Sequence, residues 1–354
     1  MRFGITYKLE YVPEVHKTEK RYMDLILEQS ILLDKLGYDA VWYSEHHTGK
    51  YSFGNPAVMA AAAAVKTENI RIGTGVSLLP LHNPILLAEE FALVDVLSNG
   101  RLEYGIGRGY VPHEYDWLEV PIAESHSRYH EVMDFLEQVW TAEGLTSFNG
   151  KHFQINDYQC FPKPIQKPFP AIYASAAGSL ESFVWAGQKG YHLGTALFLP
   201  DISLLPKGIA VYEEEVAKAG HDRSQLEVMA ITQMFCHRDH EKALAEGRKY
   251  ANNYYRHFAK LSGATEANPI YPYYSTVDAL DLNANGQLLL GSPEALIERI
   301  SQYQEDYGLD YMMMEIAQGG AEHEVICEAL EVFAAEVMPH FRKAEAAPRE
   351  KATA

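Results

Sequence analysis

Short apolar runs alternate with helical patterns along most of the chain. The runs are Phe3–Tyr7, Asp39–Tyr43, Ile70–Leu78, Leu102–Ile106, Ala171–Ala174, His192–Leu197, a stretch within Leu226–Cys236, and Tyr311–Ile316. Between them lie segments with helix signals. Thr18 to Leu36 stops at Gly37, Asn55-Pro56 and Asn83-Pro84 each pair an N-cap with proline at the first helical position, and Ser98 is followed by Gly100. Further helices are expected from about Ser125 to Glu143, from Pro293, and from Glu322 to Phe341. Strands separated by helices predict a parallel sheet, and eight such units predict a closed (β/α)8 TIM barrel with insertions. An open doubly wound sheet would carry a glycine loop after its first strand, where this chain has Lys8-Leu9-Glu10-Tyr11.

Two insertions stand out. Asn149-Gly150 fits a type I′ turn, which predicts a hairpin over 146–156 between Thr146–Phe148 and Lys151–Ile155. The segment 261–287 lacks a clear period and is too long for an ordinary connection. With Tyr271, Tyr273 and Tyr274 it reads either as an active-site lid or as a disordered loop, and the sequence does not separate the two. One domain over 1–343 is expected, followed by a frayed Ala- and charge-rich tail over 344–354.

Composition narrows the partners. The 354 residues hold 30 Lys and Arg against 48 Asp and Glu, a formal charge of −18, which repels nucleic acid and anionic lipid. A phosphate-bearing ligand must then be held by a local cluster of donors. Cys160, Cys236 and Cys327 are far apart and suggest neither a disulfide framework nor a thiolate metal site. The start Met1-Arg2-Phe3-Gly4-Ile5 does not read as a signal peptide, and no apolar run approaches a membrane span, so a cytoplasmic protein is expected. The helix Ala57 to Val65 has no charged residue and must be covered, which predicts a homodimer through the 55–65 region.

In a barrel of this kind the chemistry sits at the C-terminal ends of the strands. Strand two ends in Ser44-Glu45-His46-His47. Successive residues of a strand point to opposite faces, so Glu45, His46 and His47 cannot converge on one ion and no metal site is expected. His46 reads as a general acid or base, whereas a hydrogen-bonded structural role competes more strongly for His47. Strand four ends in Gly107-Arg108-Gly109-Tyr110, where a guanidinium between two glycines suits a captured phosphate. Ala174-Ser175-Ala176-Ala177-Gly178-Ser179 leads into a helix start, a ready anion site, and Arg128 lies on the helix after strand four.

These residues resemble a known family. Val41-Trp42-Tyr43-Ser44-Glu45-His46-His47 with Gly54-Asn55-Pro56, Ile72 to Pro80, Asn99 to Gly109, Gly291-Ser292-Pro293-Glu294 and Val337-Met338-Pro339 are similar to bacterial luciferase and its flavin-dependent monooxygenase relatives. The resemblance implies an enzyme that takes reduced FMN from a separate NAD(P)H:flavin reductase. With O2 it would oxygenate a small organic substrate, apolar or carbonyl-bearing, through a C4a-peroxyflavin. It makes His46 the catalytic histidine and puts a non-prolyl cis peptide at Gly75-Val76 against the flavin ring. Gly107, Tyr110, Ala174, Ala176 and Gly178 are expected around the cofactor, with Arg108, Arg128, Ser175 and Ser179 on its phosphate. The light-emitting members carry Cys where this chain has Gly107, which predicts more room beside the flavin; their Glu-Ser pair at the phosphate is Ser175-Ala176 here. A deazaflavin (F420) hydride-transfer enzyme and a non-catalytic flavin-binding subunit are the alternatives.

Overall fold

A computed structural model describes residues 1–345 except 9, 48–52, 200, 262–269 and 317. The eight expected strands are β1 (Arg2–Tyr7), β2 (Ala40–Tyr43), β3 (Arg71–Thr74), β4 (Leu102–Gly107), β5 (Ala171–Ser175), β6 (His192–Ala196), β7 (Val228–Cys236) and β8 (Tyr311–Glu315). All pair in parallel in the order β7-β8-β1-β2-β3-β4-β5-β6, and β6 pairs back onto β7, closing the barrel.

The helix boundaries follow from local chemistry. The Thr18 hydroxyl accepts the Arg21 N–H at the start of Glu19–Leu36, and Gly37 ends that helix with a φ of 78°. Asn55 and Asn83 cap Pro56–Ala64 and Pro84–Leu97 by accepting from Val58 N–H and Ile85 N–H. Val58 (65% exposed) and Leu93 (47%) leave these two packed helices with apolar surface facing outward. Among the described residues no helix is long and apolar enough to cross a membrane.

Four expectations need correction. The run Ile70–Leu78 is not one strand: β3 stops at Thr74, the chain passes through a cis peptide between Gly75 and Val76, and Ser77–Leu78 pairs separately with β4. The hairpin has strands Thr146–Asn149 and Gln154–Tyr158, with Asn149 opposite Gln154 and a four-residue loop rather than a type I′ turn. Its geometry is set by the Glu131 carboxylate, which accepts the N–H groups of Lys151, His152 and Phe153. The segment 261–287 is largely helical where described: Ile270–Thr276, then Ala279–Ala284 capped by Asp278, with Gly286 in the left-handed region after it. The last helix contains a π-helical turn at Phe333–Val337 and continues as Met338–Glu345, so the expected tail begins in a helix and its remainder, 346–354, lies outside the described residues.

The barrel interior is built around one indole. Trp42 on β2 is fully buried, and a Cβ added at Gly73 would lie 2.3 Å from its ring. At Gly105 an added Cβ would lie 1.9 Å from the Thr74 carbonyl and 2.9 Å from the indole. Two adjacent strands therefore need glycine where they face Trp42. Below the indole, buried Glu103 accepts from Trp42 Nε1 at 2.9 Å and is paired with Arg2 at 2.5 Å and Arg71 at 2.7 Å. Burial pushes its carboxyl up, but Arg2 and Arg71 outweigh this and hold it below the ordinary value.

Glu103→Gln leaves two guanidinium groups with their shared counter-charge removed, and both can partly rehydrate. Unfolding stability should fall by about 3 kcal/mol, measured by urea denaturation; a loss below about 0.5 kcal/mol would show that the ion cluster contributes little.

Candidate active site

At the C-terminal ends of the strands lies a cavity of about 420 Å³. Trp42 forms part of its lining, so the indole that fills the barrel is also the cavity floor. His46, Gly75, Val76, Gly107, Arg108, Tyr110, Ser175, Gly178 and Ser179 all line it. Three other expected residues do not. Ala174 and Ala176 belong to the apolar core behind the wall, and the Ala176 N–H is taken by the Gly194 carbonyl. Arg128 is held through Nε by Glu124 at 2.9 Å and lies over the Phe153 ring at 5.5 Å.

Strand alternation arranges the chemistry of Glu45-His46-His47. His46 is buried, and its Nδ1 is 3.0 Å from Oε1 of Glu114, a fully buried carboxylate on the short helix Pro112–Trp117. The same oxygen accepts the His47 backbone N–H at 2.7 Å. Glu45 and His47, two residues apart, turn the other way and meet His82. Oε1 of Glu45 is 3.0 Å from His47 Nε2 and 2.5 Å from His82 Nε2, while Oε2 accepts the Leu78 N–H. The three side chains thus converge within 4.8 Å, which the sequence did not foresee because His82 comes from another loop. Burial alone would raise the Glu45 carboxyl, but the hydrogen bonds from His47 and His82 prevail and bring it to about 2. Burial opposes protonation of His82, yet Glu45 raises it overall. The cluster is a carboxylate clamped between two imidazoles, and it fixes the loop after β3 to the end of β2.

On the β4–β5 side the residues form a cradle for an anion. Arg108 is exposed, and among the described residues its guanidinium makes only a long 3.5 Å contact with the Ser125 hydroxyl. Ser179 precedes the helix Leu180–Lys189 and makes no side-chain capping bond to it. A Cβ at Gly178 would meet no atom within 4 Å. Hydroxyl, first-turn backbone and guanidinium together fit a phosphate. The cis peptide Gly75–Val76 stands beside them as a smooth wall. Gly107 is the exception to the expected spaciousness. A Cβ there would lie 2.3 Å from Val76 Cγ2, so the place a cysteine side chain would take is already filled by valine.

Residues 1–309 match the luciferase-like monooxygenase family. The chain belongs to that family. The oxygenase component of the flavin-dependent trigonelline monooxygenase of Acinetobacter baylyi is 29% identical over 98% of this chain and 97% of its own length. An F420-dependent glucose-6-phosphate dehydrogenase of Amycolatopsis mediterranei is 30% identical over 64% of this chain and 69% of its own. Among solved structures, the oxygenating constituent of 3,6-diketocamphane monooxygenase from Pseudomonas putida, in complex with FMN, has a TM-score of 0.78 at 22% identity, covering 96% of this chain and 98% of that one. At that identity the likeness concerns the fold.

Within this luciferase-like site, sequence reasoning missed Glu114, Lys8 and Glu315. Glu114 meets His46 across 68 positions, and nothing local announces it. Lys8 and Glu315 were findable, because period-two alternation carries the interior face of β1 from Thr6 to Lys8 and that of β8 from Met313 to Glu315. Glu315 thus puts a buried carboxylate at the end of β8, inside the cavity.

Gly107→Ala should cost about 1–3 kcal/mol of stability through the clash with Val76. Adding Val76→Ala should recover most of it. Thermal or urea unfolding of the two variants checks this, and an unperturbed single variant would overturn the packing argument.

Proposed function

We propose that the chain is the oxygenase component of a two-component flavin monooxygenase. It would receive reduced FMN from a separate NAD(P)H:flavin reductase and use O2 to oxygenate a small organic substrate. The observation that carries this reading is that one cavity gathers His46, the cis Gly75–Val76 wall and the Arg108–Ser179 cradle. Arg108, Ser175, Gly178 and Ser179 would hold the phosphate, while Gly75, Val76 and Gly107 would face the ring. Arg128, paired with Glu124, would act on the phosphate only after leaving that partner. When bound, the reduced flavin supplies the electrons that activate O2 for transfer of one oxygen atom.

The protein's own part is positioning, exclusion of water and proton handling. Glu114 accepts a hydrogen bond from the Nδ1–H of His46, which sets the tautomer and gives Nε2 the lone pair. Nε2 would then take or hold a proton at the reacting centre. Trp42, Val76, Leu78, Phe198 and Tyr274 make much of the surround apolar, which limits water. The outward apolar surface of Pro56–Ala64 and Pro84–Leu97 supports a homodimer, with a second copy covering Val58 and Leu93.

Two outcomes follow. His46→Ala should lower turnover by roughly 10²–10⁴-fold with reduced-FMN affinity kept, whereas Arg108→Ala should weaken that affinity. Anaerobic titration followed by mixing with O2 reads both. Preference for F420, or product formation without O2 consumption, would replace this reading with hydride transfer. In sedimentation, the wild-type chain should run as a dimer at micromolar concentration and the Val58→Asp, Leu93→Asp variant as a monomer; a monomeric wild type rejects the dimer.

A further inference from the structure

The cluster of Glu45, His47 and His82 has the composition of a cation site. Glu45 and His47 stand two positions apart just past the end of β2, so their side chains leave the backbone on the same side. His82 joins them from the turn that precedes Pro84–Leu97. Glu45 Oε1, His47 Nε2 and His82 Nε2 all lie within 4.8 Å of one another. The carboxylate is buried, whereas the His47 and His82 side chains are 22% and 20% exposed. A cation can therefore arrive from solvent at the imidazoles and end on the carboxylate. Glu45 and His46 line the barrel cavity but His47 and His82 do not, so the cluster lies behind its wall.

Both imidazoles aim Nε2 at the same oxygen, at 3.0 Å and 2.5 Å. Ligand atoms about 2.0–2.1 Å from a tetrahedral zinc ion stand about 3.3 Å from one another. An ion bound to the two nitrogens is thus already next to Oε1, and the shifts required are under about 1 Å. The second carboxylate oxygen accepts the Leu78 N–H at 2.9 Å, which fixes the carboxylate and leaves Oε1 for the ion. Partly buried Glu90 stands close enough to His82 for each to feel the other's charge. Acidic groups behind ligating imidazoles orient them and raise their basicity. The formal charge of −18 also favours cations over anions at the surface.

We propose that Glu45, His47 and His82 form a zinc-binding site. Two imidazoles and one carboxylate suit zinc, whereas calcium and magnesium prefer oxygen ligands throughout. Zn²⁺ would take the place of the Nε2 protons, the rings would bind as neutral imidazoles, and water would complete the shell. Glu45 and His47 flank His46 in the chain. The ion would therefore tie both neighbours of that imidazole to the turn at His82, bracing it without touching substrate. The expectation of no metal rested on three consecutive residues, while this site uses two alternate ones and a third from another loop. The inference does not depend on the flavin reading.

The test strips the full-length protein with EDTA and titrates it with Zn²⁺ alone by calorimetry. One ion per chain should bind and raise Tm. His47→Ala and His82→Ala should each weaken binding by more than about tenfold, the low end of what even an outer-shell loss costs. A surface pair serves as control: His126 Nε2 and His130 Nε2 are 3.2 Å apart, with Glu181 3.6 Å from His126. The His126→Ala, His130→Ala variant should keep the tight ion. In the unaltered chain, Zn²⁺ should protect His47 and His82 from diethylpyrocarbonate, read by mass spectrometry, which locates the ion even where a variant does not fold. No uptake by the unaltered protein, or no protection of these two histidines, would overturn the proposal. So would tight uptake that survives in a folded His82→Ala protein or vanishes in the control variant.

Discussion

The barrel closes around a single indole. Trp42 fills its middle so completely that Gly73 and Gly105 must give up their side chains to make space, and Nε1 is tied down to Glu103. With the lower half sealed by this ring and the Arg2–Glu103–Arg71 cluster, the upper ends of the strands can be given to small residues and polar groups. Interior packing and site geometry are thus one constraint. The residue that stabilises the barrel is also the surface on which ligands are received.

The sequence made the scaffold readable because its signals are local. Apart from the end of β3, strand boundaries came out within a residue or two, since the helices between them start at caps such as Thr18, Asn55 and Asn83 whose hydrogen bonds reach only two or three residues ahead. The failures lie where a distant side chain decides the backbone. Asn149-Gly150 has the chemistry of a tight turn, yet Glu131, well upstream, collects three loop N–H groups and imposes a wider one. Likewise 261–287 looks formless because its helices are short and Pro272 and Gly286 interrupt the pattern, while Asp278 caps one of them.

The candidate site was legible to a similar extent and for a similar reason. His46, Arg108 and Ser179 stand at strand ends or at a helix start, positions that periodicity assigns. Glu114 and His82 take their meaning from partners on other elements. The space at Gly107 could not be inferred from a missing side chain at all, because Val76 crosses over from the neighbouring segment to fill it.

One carboxylate oxygen of Glu114 holds both the imidazole of His46 and the backbone of His47. Glu114 rides on a helix of only six residues, whose last, Trp117, is 59% exposed. That helix therefore ties the buried imidazole, through a single carboxylate, to a segment that ends in a solvent-exposed indole.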